Sequence, residues 1–327
     1  MCLPALRALR EGFPRAYIAV QARPWVADLY TRERFSDRVI PYVSAPGAAD
    51  WSGKWRAAKA LQLEHFDCAL LLPNSFDSAL VVWLAGIPRR IGYNRDRRGL
   101  LLTDAIRPPS PGEIPRHERF YYLELLRRSG ILSGAPVSDA IRLDCADPAR
   151  QSGEARFGEL GLAAPVIGVS PGAAYGGAKR WLPERFAETA SQLAAATGAT
   201  VAVFGSKAER GIAETVAEHL RAARILVHNF AGETSLREFI DLAAACRVFI
   251  TNDSGAMHVA AALGVPTVAV FGATDHQATG PTGPFVQVVR EPVECSPCLL
   301  RECPIDHRCM TRVSAGRVAQ AGLDLLK

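Results

Sequence analysis

Short apolar runs alternate with amphipathic stretches of helical length along most of the sequence, and this alternation constrains the fold more than any other feature. The runs predict strands at Ala16–Gln21, Arg38–Tyr42, Cys68–Leu72, Val166–Ser170, Thr200–Phe204, Ile225–Asn229, Val248–Thr251, Thr267–Phe271 and Phe285–Val289. Helices are predicted between them at Trp51–Leu63, Ser75–Leu84, Arg119–Arg128, Pro183–Ala196, Ala208–Ala222, Ser235–Ala245 and Gly255–Leu263. Strands that alternate with helices of this length pair in parallel and are covered on both faces. We therefore predict an α/β fold.

The length of the chain suits two domains. Its 327 residues exceed one typical domain and match two of about 150 residues each. We predict an N-terminal domain over 1–155, a second domain over 156–312, and a C-terminal helix over 313–327 that packs back toward the first domain. The longest apolar stretches, such as Ala79–Ile87, fall far short of the ~18 residues of a membrane span. With no secretory signal pattern at the N-terminus, we expect a cytoplasmic protein.

The start of the sequence departs from this rhythm. A doubly wound domain opens with a strand, whereas this chain begins inside a predicted helix. The first strand of such a domain is usually central, so its absence would leave two neighbouring strands without ladder partners. We expect the first strand of the N-terminal sheet, about 15–25 residues with its turn, to be missing from this sequence.

The loop from Ser170 to Trp181 is the first candidate binding site. It follows a predicted strand and precedes a helix with Pro183 in its first turn, where proline is tolerated. Glycines let backbone N–H groups approach an anion, and Lys179 and Arg180 add positive charge. We predict a diphosphate site at Gly172, Ala173, Ala174 and Lys179; a flexible surface loop is the alternative.

A second strand end runs into a helix at Thr251–His258. The N–H groups and the dipole of that helix would hold phosphate, and Ser254 and Gly255 are small enough to permit contact. Asp253 can accept hydrogen bonds from sugar hydroxyls, or it can serve as a helix N-cap. His258 lies one turn into the helix on the same face, as a ligand contact or as a partly buried histidine with internal partners.

Two glutamates follow predicted strands. Glu209 comes shortly after Phe204, where an acid could bind ribose hydroxyls; a solvent-facing glutamate in the first turn of a helix is the alternative. Glu238 stands three residues after Ser235, the spacing of a capping box. We interpret Ser235 and Glu238 as structural.

The net charge is +5, and part of the excess is concentrated in one segment. Between residues 89 and 98 a single acid, Asp96, accompanies five arginines, namely Arg89, Arg90, Arg95, Arg97 and Arg98. Such a patch suits an anionic partner, although a solvated loop would look the same. No aromatic residues are interleaved with Lys179–Arg180 in a recognisable nucleic-acid module, and no G-x-G-x-x-G follows a predicted strand. We expect neither a nucleic-acid partner nor an oxidoreductase.

Four of the eight cysteines crowd into fifteen positions, at Cys295, Cys298, Cys303 and Cys309, with His307 among them. Thiolates at a tetrahedral site would hold a structural zinc ion, but these spacings are not those of a zinc ribbon. Free, packed cysteines are the alternative, and disulfides are disfavoured in the cytosol. We expect no catalytic metal.

Taken together, these segments resemble the ADP-heptose:lipopolysaccharide heptosyltransferases of glycosyltransferase family 9. The resemblance covers essentially the whole chain and rests on Pro171–Trp181, on Asn252–Thr267 and on Cys295–Met310. The cysteine cluster, together with Leu72–Leu80 and Arg90–Tyr93, is most similar to the heptosyltransferase II branch.

This resemblance implies the GT-B architecture, in which two Rossmann-like domains face each other across a cleft. Lys179 would bind the donor phosphates, Asp253 the heptose, and Glu209 the ribose, with His258 close to the donor. The five arginines would face a lipid A–Kdo–heptose acceptor at the cytoplasmic face of the inner membrane. Transfer would invert the anomeric centre without a metal, as positive charge stabilises the departing diphosphate.

The sequence departs from the family at the expected base. Family members begin with a strand, a Gly-Asp loop and a helix similar to Cys2–Arg7, and the aspartate of that loop deprotonates the acceptor. No residue of this sequence corresponds to it. A related transferase with another nucleotide sugar or acceptor, or a non-catalytic nucleotide-sugar-binding protein, are the alternative functions.

Overall fold

The computed structural model describes residues 1–43, 50–132, 137–162 and 164–327, and the chain divides into two compact units, Met1–Ala140 and Ile141–Lys327. The predicted boundary after residue 155 would cut helix α6, Ala146–Glu159. This helix packs closely on the second unit, because a Cβ on Gly153 would lie 2.1 Å from the carbonyl oxygen of Asp241. The division therefore falls before α6 rather than within it.

The first unit contains two small parallel sheets. Its strands are β1 Ala19–Ala22, β2 Arg38–Pro41, β3 Cys68–Leu71, β4 Arg89–Tyr93 and β5 Asp104–Ile106. Its helices are α1 Leu3–Gly12, α2 Pro24–Ala27, α3 Trp51–Gln62, α4 Phe76–Leu84 and α5 Glu118–Arg128. Helix α4 begins at a serine N-cap, since the Ser75 hydroxyl accepts from the N–H of Ser78.

Strands β1 and β3 of this unit belong to two different sheets. Strand β1 pairs with β2, and β3 belongs to a separate sheet of order β3-β4-β5, so each of the two has one ladder partner among the described residues. A single apolar core nevertheless joins them, with Ile40 of β2, Leu71 of β3 and Leu61 of α3 in contact.

The second unit is built on a six-stranded parallel sheet of order β11-β10-β9-β6-β7-β8. Its strands are β6 Val166–Ser170, β7 Thr200–Val203, β8 Val227–Asn229, β9 Val248–Asn252, β10 Thr267–Phe271 and β11 Val286–Arg290. Its helices are α6 Ala146–Glu159, α7 Pro183–Thr197, α8 Arg210–Ala222, α9 Leu236–Ala244, α10 Gly255–Ala262, α11 His276–Thr279, α12 Arg308–Thr311 and α13 Ala315–Asp324. The direction of winding reverses between β6 and β9, and in open α/β sheets ligands bind at this switch point.

Helices pack on this sheet as the apolar pattern requires. Helix α7 starts with Pro183 and stops at Gly198, which has the left-handed φ of 69° that glycine tolerates. It packs with α8 and α13 over the inward side chains of β6 and β7, while α6, α9 and α10 form a second packed layer. All five residues of β6, β9 and β10 are buried, as expected of central parallel strands.

The C-terminal helix packs on its own unit. A Cβ on Gly322 of α13 would lie 3.1 Å from Leu193 of α7, and the hydroxyl of Thr189 donates to the carbonyl of Ala315. The additional expectation that residues 313–327 pack toward the first unit stays a prediction. None of the helices in the described ranges has the length and apolar character of a membrane span.

Candidate functional site

The two predicted binding loops meet because their strands are neighbours. Strand β6 lies beside β9, with Ser170 in register with Thr251, so the loops that follow them share one edge of the sheet. Asn252, which is fully buried, ties them together. Its amide nitrogen donates to the carbonyl of Pro171 at 2.8 Å, and its amide oxygen accepts from the backbone N–H of Trp181 at 3.0 Å.

Lys179 and Asp253 form an ion pair at this edge. The Nζ atom of Lys179 lies 2.6 Å from Oδ2 of Asp253, and the two side chains are 14% and 5% exposed. The hydroxyl of Thr274 also donates to Asp253. Since Lys179 follows β6 and Asp253 follows β9, the fold brings together two residues that the sequence placed in separate motifs.

Tyr175 provides an aromatic face beside this pair. The Nζ atom of Lys179 lies 4.8 Å from the ring centroid, and the guanidinium carbon of Arg301 lies 5.4 Å from it. Cations at these distances are attracted to the electron-rich ring face. Arg180, in contrast, turns back on the loop, because its Nε and Nη2 both donate to the carbonyl of Ala173.

The glycines of this loop do not all present free N–H groups to an anion. The N–H of Gly177 donates to Oε1 of Glu302, and the N–H of Ala178 donates to the carbonyl of Arg301. The expectation that the loop backbone would cradle phosphate is therefore wrong for the Gly177–Ala178 turn. Ala173 is buried and Ala174 is exposed.

Helix α10 presents an open N-terminus next to Asp253. Ser254, and not Asp253, is the N-cap residue, which corrects the capping alternative for Asp253. Within the described part of the chain the Ser254 side chain makes no capping bond, and its hydroxyl lies 3.2 Å from that of Thr251. A Cβ at Gly255 would meet open space. His258 is half-buried one turn further along the same helix.

Glu209 closes a capping box that the sequence analysis missed. Its Oε2 accepts from both the backbone N–H and the hydroxyl of Ser206, each at 2.8 Å. The Ser-x-x-Glu spacing gave the signal, as it did for Ser235 and Glu238, whose predicted box is confirmed. Glu209 also lies against Gly172, where a Cβ would be 2.2 Å from its Oε1, so its carboxylate reaches the edge of the loop that follows β6.

Two of the five arginines of the patch, Arg98 and Arg90, donate to backbone carbonyls of the first unit. Arg98 is fully buried and donates to the carbonyls of Tyr93 and Pro73, and burial lowers its pKa. The prediction that Arg98 faces an acceptor is wrong, because its guanidinium group is buried and hydrogen-bonded to backbone carbonyls. Arg90 donates to the carbonyls of Leu101 and Ile87.

The remaining three arginines of the patch are exposed. Arg89 forms an ion pair with Asp104 at 3.1 Å. Arg95 and Arg97 lie in the turn after β4, where Arg97 has a left-handed φ of 58°. Hydrogen bonding to Tyr121 raises the pKa of Arg95. The residues that can still meet an anion are therefore Arg95, Arg97 and, with its carboxylate partner, Arg89.

The cysteine cluster is packed around one buried thiol. Cys309 is buried, whereas Cys295, Cys298 and Cys303 are half-buried, and all four are free thiols. Burial raises the pKa of Cys309, and the three neighbouring cysteines raise it further. Across residues 1–43, 50–132, 137–162 and 164–327, no three His, Cys, Asp or Glu side chains are arranged to hold a metal ion. A structural zinc ion at these cysteines stays a prediction, with packed free thiols as its alternative.

A family model and individual relatives of known name all identify the same family. Residues 54–308 match the model of glycosyltransferase family 9 (heptosyltransferase). The chain is 34% identical over 298 residues to lipopolysaccharide heptosyltransferase 2 of Salmonella typhimurium, covering 87% of this chain and 82% of that protein. It is 32% identical to lipooligosaccharide heptosyltransferase 2 of Haemophilus influenzae, covering 86% and 82%.

A solved structure shows the same fold. The chain matches the structure of E. coli ADP-heptose lps heptosyltransferase II with a TM-score of 0.80 and 29% identity, over 99% of this chain and 93% of that one. The α/β fold predicted from the alternation of strands and helices is thereby confirmed, and it is that of the GT-B heptosyltransferases.

Proposed function

The chain belongs to glycosyltransferase family 9, the heptosyltransferases, and we propose that it transfers heptose from ADP-heptose to the inner core of lipopolysaccharide, with inversion and without a metal ion. It is a glycosyltransferase by this membership. The donor is taken from a relative of known structure named for ADP-heptose, and the acceptor class from relatives named for lipopolysaccharide and lipooligosaccharide.

The Lys179–Asp253 pair is the observation that carries the proposal. It lies at the switch point of the sheet, beside the open N-terminus of α10. When the glycosidic bond to the diphosphate breaks, negative charge develops on the leaving oxygen, and a nearby ammonium and helix N–H groups stabilise it. A fixed cation performs this task without a metal ion.

The carboxylate of Asp253 has a separate role in this proposal. Thr274 and Lys179 both hold its Oδ2 atom, so its orientation is set before the donor binds. We assign Asp253 to the heptose hydroxyls, Ser254, Gly255 and His258 to the sugar–diphosphate end, and Glu209 to the ribose. Glu209 uses Oε2 within its capping box, which leaves Oε1 at the edge of the loop.

We propose fewer arginines for acceptor binding than the sequence analysis did. Arg95 and Arg97, with Arg89 beside Asp104, are the arginines available to the phosphate and carboxylate groups of a lipid A–Kdo–heptose acceptor. Arg90 and Arg98 are left out, because backbone carbonyls occupy their guanidinium groups.

We further propose that the enzyme works at the cytoplasmic face of the inner membrane. Trp51 and Trp55 of α3 are 59% and 54% exposed, and the Nζ atom of Lys59 lies 5.6 Å from the Trp55 ring. Exposed tryptophans with a neighbouring cation suit the interface of an anionic bilayer. Sedimentation with phosphatidylglycerol vesicles tests this location; binding that is unchanged in Trp55→Ala would contradict the assigned surface.

The function is tested by transfer and donor binding in the full chain. We expect heptose transfer from ADP-heptose to a Kdo-containing core acceptor, activity that persists in EDTA, and inverted anomeric configuration of the product by NMR. Isothermal titration with ADP, UDP and GDP tests the nucleotide, and ADP should bind most tightly. Transfer from a UDP- or GDP-linked sugar alone would replace the donor assignment, and loss of activity in EDTA would refute the metal-free mechanism.

A further inference from the structure

The cysteine-rich segment, residues 295–309, is hydrogen-bonded to the loop that carries Lys179. The hydroxyl of Tyr175 donates to the carbonyl of Leu299 at 2.8 Å, and the N–H of Gly177 donates to Oε1 of Glu302 at 2.9 Å. A ring nitrogen of His307 lies 3.0 Å from the carbonyl of Ala178. These contacts fix the backbone of the turn from which the Lys179 side chain projects.

The approach of the two backbones is close enough to require glycine. A Cβ at Gly176 would lie 2.2 Å from the carbonyl oxygen of Arg301, a distance that no side chain can occupy. The same carbonyl accepts from the N–H of Ala178 at 2.9 Å. The segment and the loop are therefore in direct backbone contact, and the position of Lys179 depends on both.

The same segment also holds the loop behind Asp253. The hydroxyl of Ser296 donates to the carbonyl of Gly272 at 2.6 Å, and the N–H of Leu299 donates to the carbonyl of Ala273 at 2.8 Å. Thr274, the next residue, donates to Asp253. The cysteine-rich segment thus contacts the supports of both members of the ion pair.

We infer that the cysteine-rich segment positions the Lys179–Asp253 pair for the donor diphosphate, and that Glu302 is its principal positioning residue. Glu302 supplies the one side-chain carboxylate that holds the turn at Gly177 among the contacts above. It acts through the loop and does not itself contact the reacting atoms. Displacing a charged group by about 1 Å from its productive geometry is enough to weaken catalysis strongly. The inference rests on the proposed function of Lys179.

Glu302→Ala, Glu302→Gln and Glu294→Ala test the role of Glu302. The glutamine keeps an amide oxygen that can accept from Gly177, whereas the alanine does not. Glu294 lies just before the segment and pairs with Arg308, so its removal deletes a carboxylate from the same region without touching the loop. Each variant is assayed for KM of ADP-heptose, KM of the acceptor, kcat, and Kd of ADP.

We expect Glu302→Ala to raise the donor KM and the Kd of ADP about tenfold, as loss of a charge-assisted hydrogen bond does. The acceptor KM should change by less than about twofold, and Glu302→Gln and Glu294→Ala should stay near wild type for all constants. Hydrogen exchange in the peptide over 171–181 should accelerate in Glu302→Ala alone. A merely structural role would lower Tm without separating the donor KM from the acceptor KM.

The outcomes separate this inference from the proposed function. If the wild-type chain binds neither ADP nor ADP-heptose, the function is wrong, and the exchange measurement still decides whether Glu302 orders the loop. If the wild type binds ADP but Glu302→Ala matches Glu294→Ala in donor constants and in exchange, the positioning role is refuted. Should Glu302→Ala fail to fold, Tyr175→Phe removes only the bond to Leu299, and an unchanged donor KM would refute the role of the segment.

Discussion

Removing the charge of Lys179 tests the ion pair as a structural and a functional unit at once. In Lys179→Met the Asp253 carboxylate, 5% exposed, loses its cation and keeps the hydroxyl of Thr274. Breaking a buried pair from one side typically costs about 3–5 kcal/mol, because a charge is left uncompensated. Since Lys179 is itself 14% exposed, we expect a loss near the lower end, about 3 kcal/mol.

The double variant Lys179→Met with Asp253→Asn separates stability from function. It removes both charges, so no uncompensated charge remains, and it should recover most of the free energy of unfolding lost in the single variant. ADP binding should stay absent in both, because the diphosphate has lost its cation. The free energy of unfolding is measured by urea unfolding, followed by the fluorescence of Trp181, which is fully buried in the second unit.

An exposed ion pair is the matched control. Arg156 and Glu159 of α6 lie 2.8 Å apart with side chains 55% and 65% exposed, so Arg156→Met should change the free energy of unfolding by no more than about 1 kcal/mol. If Lys179→Met were as stable as this control, or if the double variant were no more stable than Lys179→Met, the buried Asp253 carboxylate would not depend on Lys179 for its stability.

Three further predictions concern other parts of the chain. Arg98→Met should destabilise the first unit by about 3 kcal/mol or more, since buried carbonyls lose their donor, whereas Arg97→Met should leave urea unfolding unchanged. Hydrogen bonds from Arg127 and then Arg128 lower the pKa of Glu124 below 4.5. The stability that they contribute is present above pH 4.5 and lost as pH falls through the folded pKa, so Glu124→Gln should flatten the acid unfolding curve there. Gly176→Ala should weaken ADP binding in titration calorimetry by displacing the loop.

Features set by local rules were predictable from the sequence. Strand β6 at Val166–Ser170 and strand β10 at Thr267–Phe271 have the predicted bounds, because continuous apolar runs identify buried parallel strands. The capping box of Ser235 follows from three-residue spacing alone. The second box, at Ser206, has the same spacing and was missed because Glu209 was considered only as a ribose ligand or as a solvent-facing glutamate.

Features set by distant partners were not predictable. No strand was predicted at β4, because Arg89 and Arg90 precede and hide the buried residues Ile91 and Tyr93. The burial of Arg98 depends on carbonyls that only the folded chain brings together. No sequence rule indicates that Glu302 holds Gly177, since 125 residues separate them.

That separation bears on the order in which the molecule is made. Lys179 and Asp253 are synthesised before residues 299–307, which contact their loops. The indole N–H of Trp181 donates to the carbonyl of Val313, which is synthesised later still. A chain that has emerged only as far as β11 would carry both charged residues without the contacts that hold their loops. Closing a loop of this length is slow relative to local folding. The contacts that hold the loops of Lys179 and Asp253 are therefore completed only after residues 299–313 have been synthesised, and we expect these loops to be less ordered in a nascent chain that stops before them.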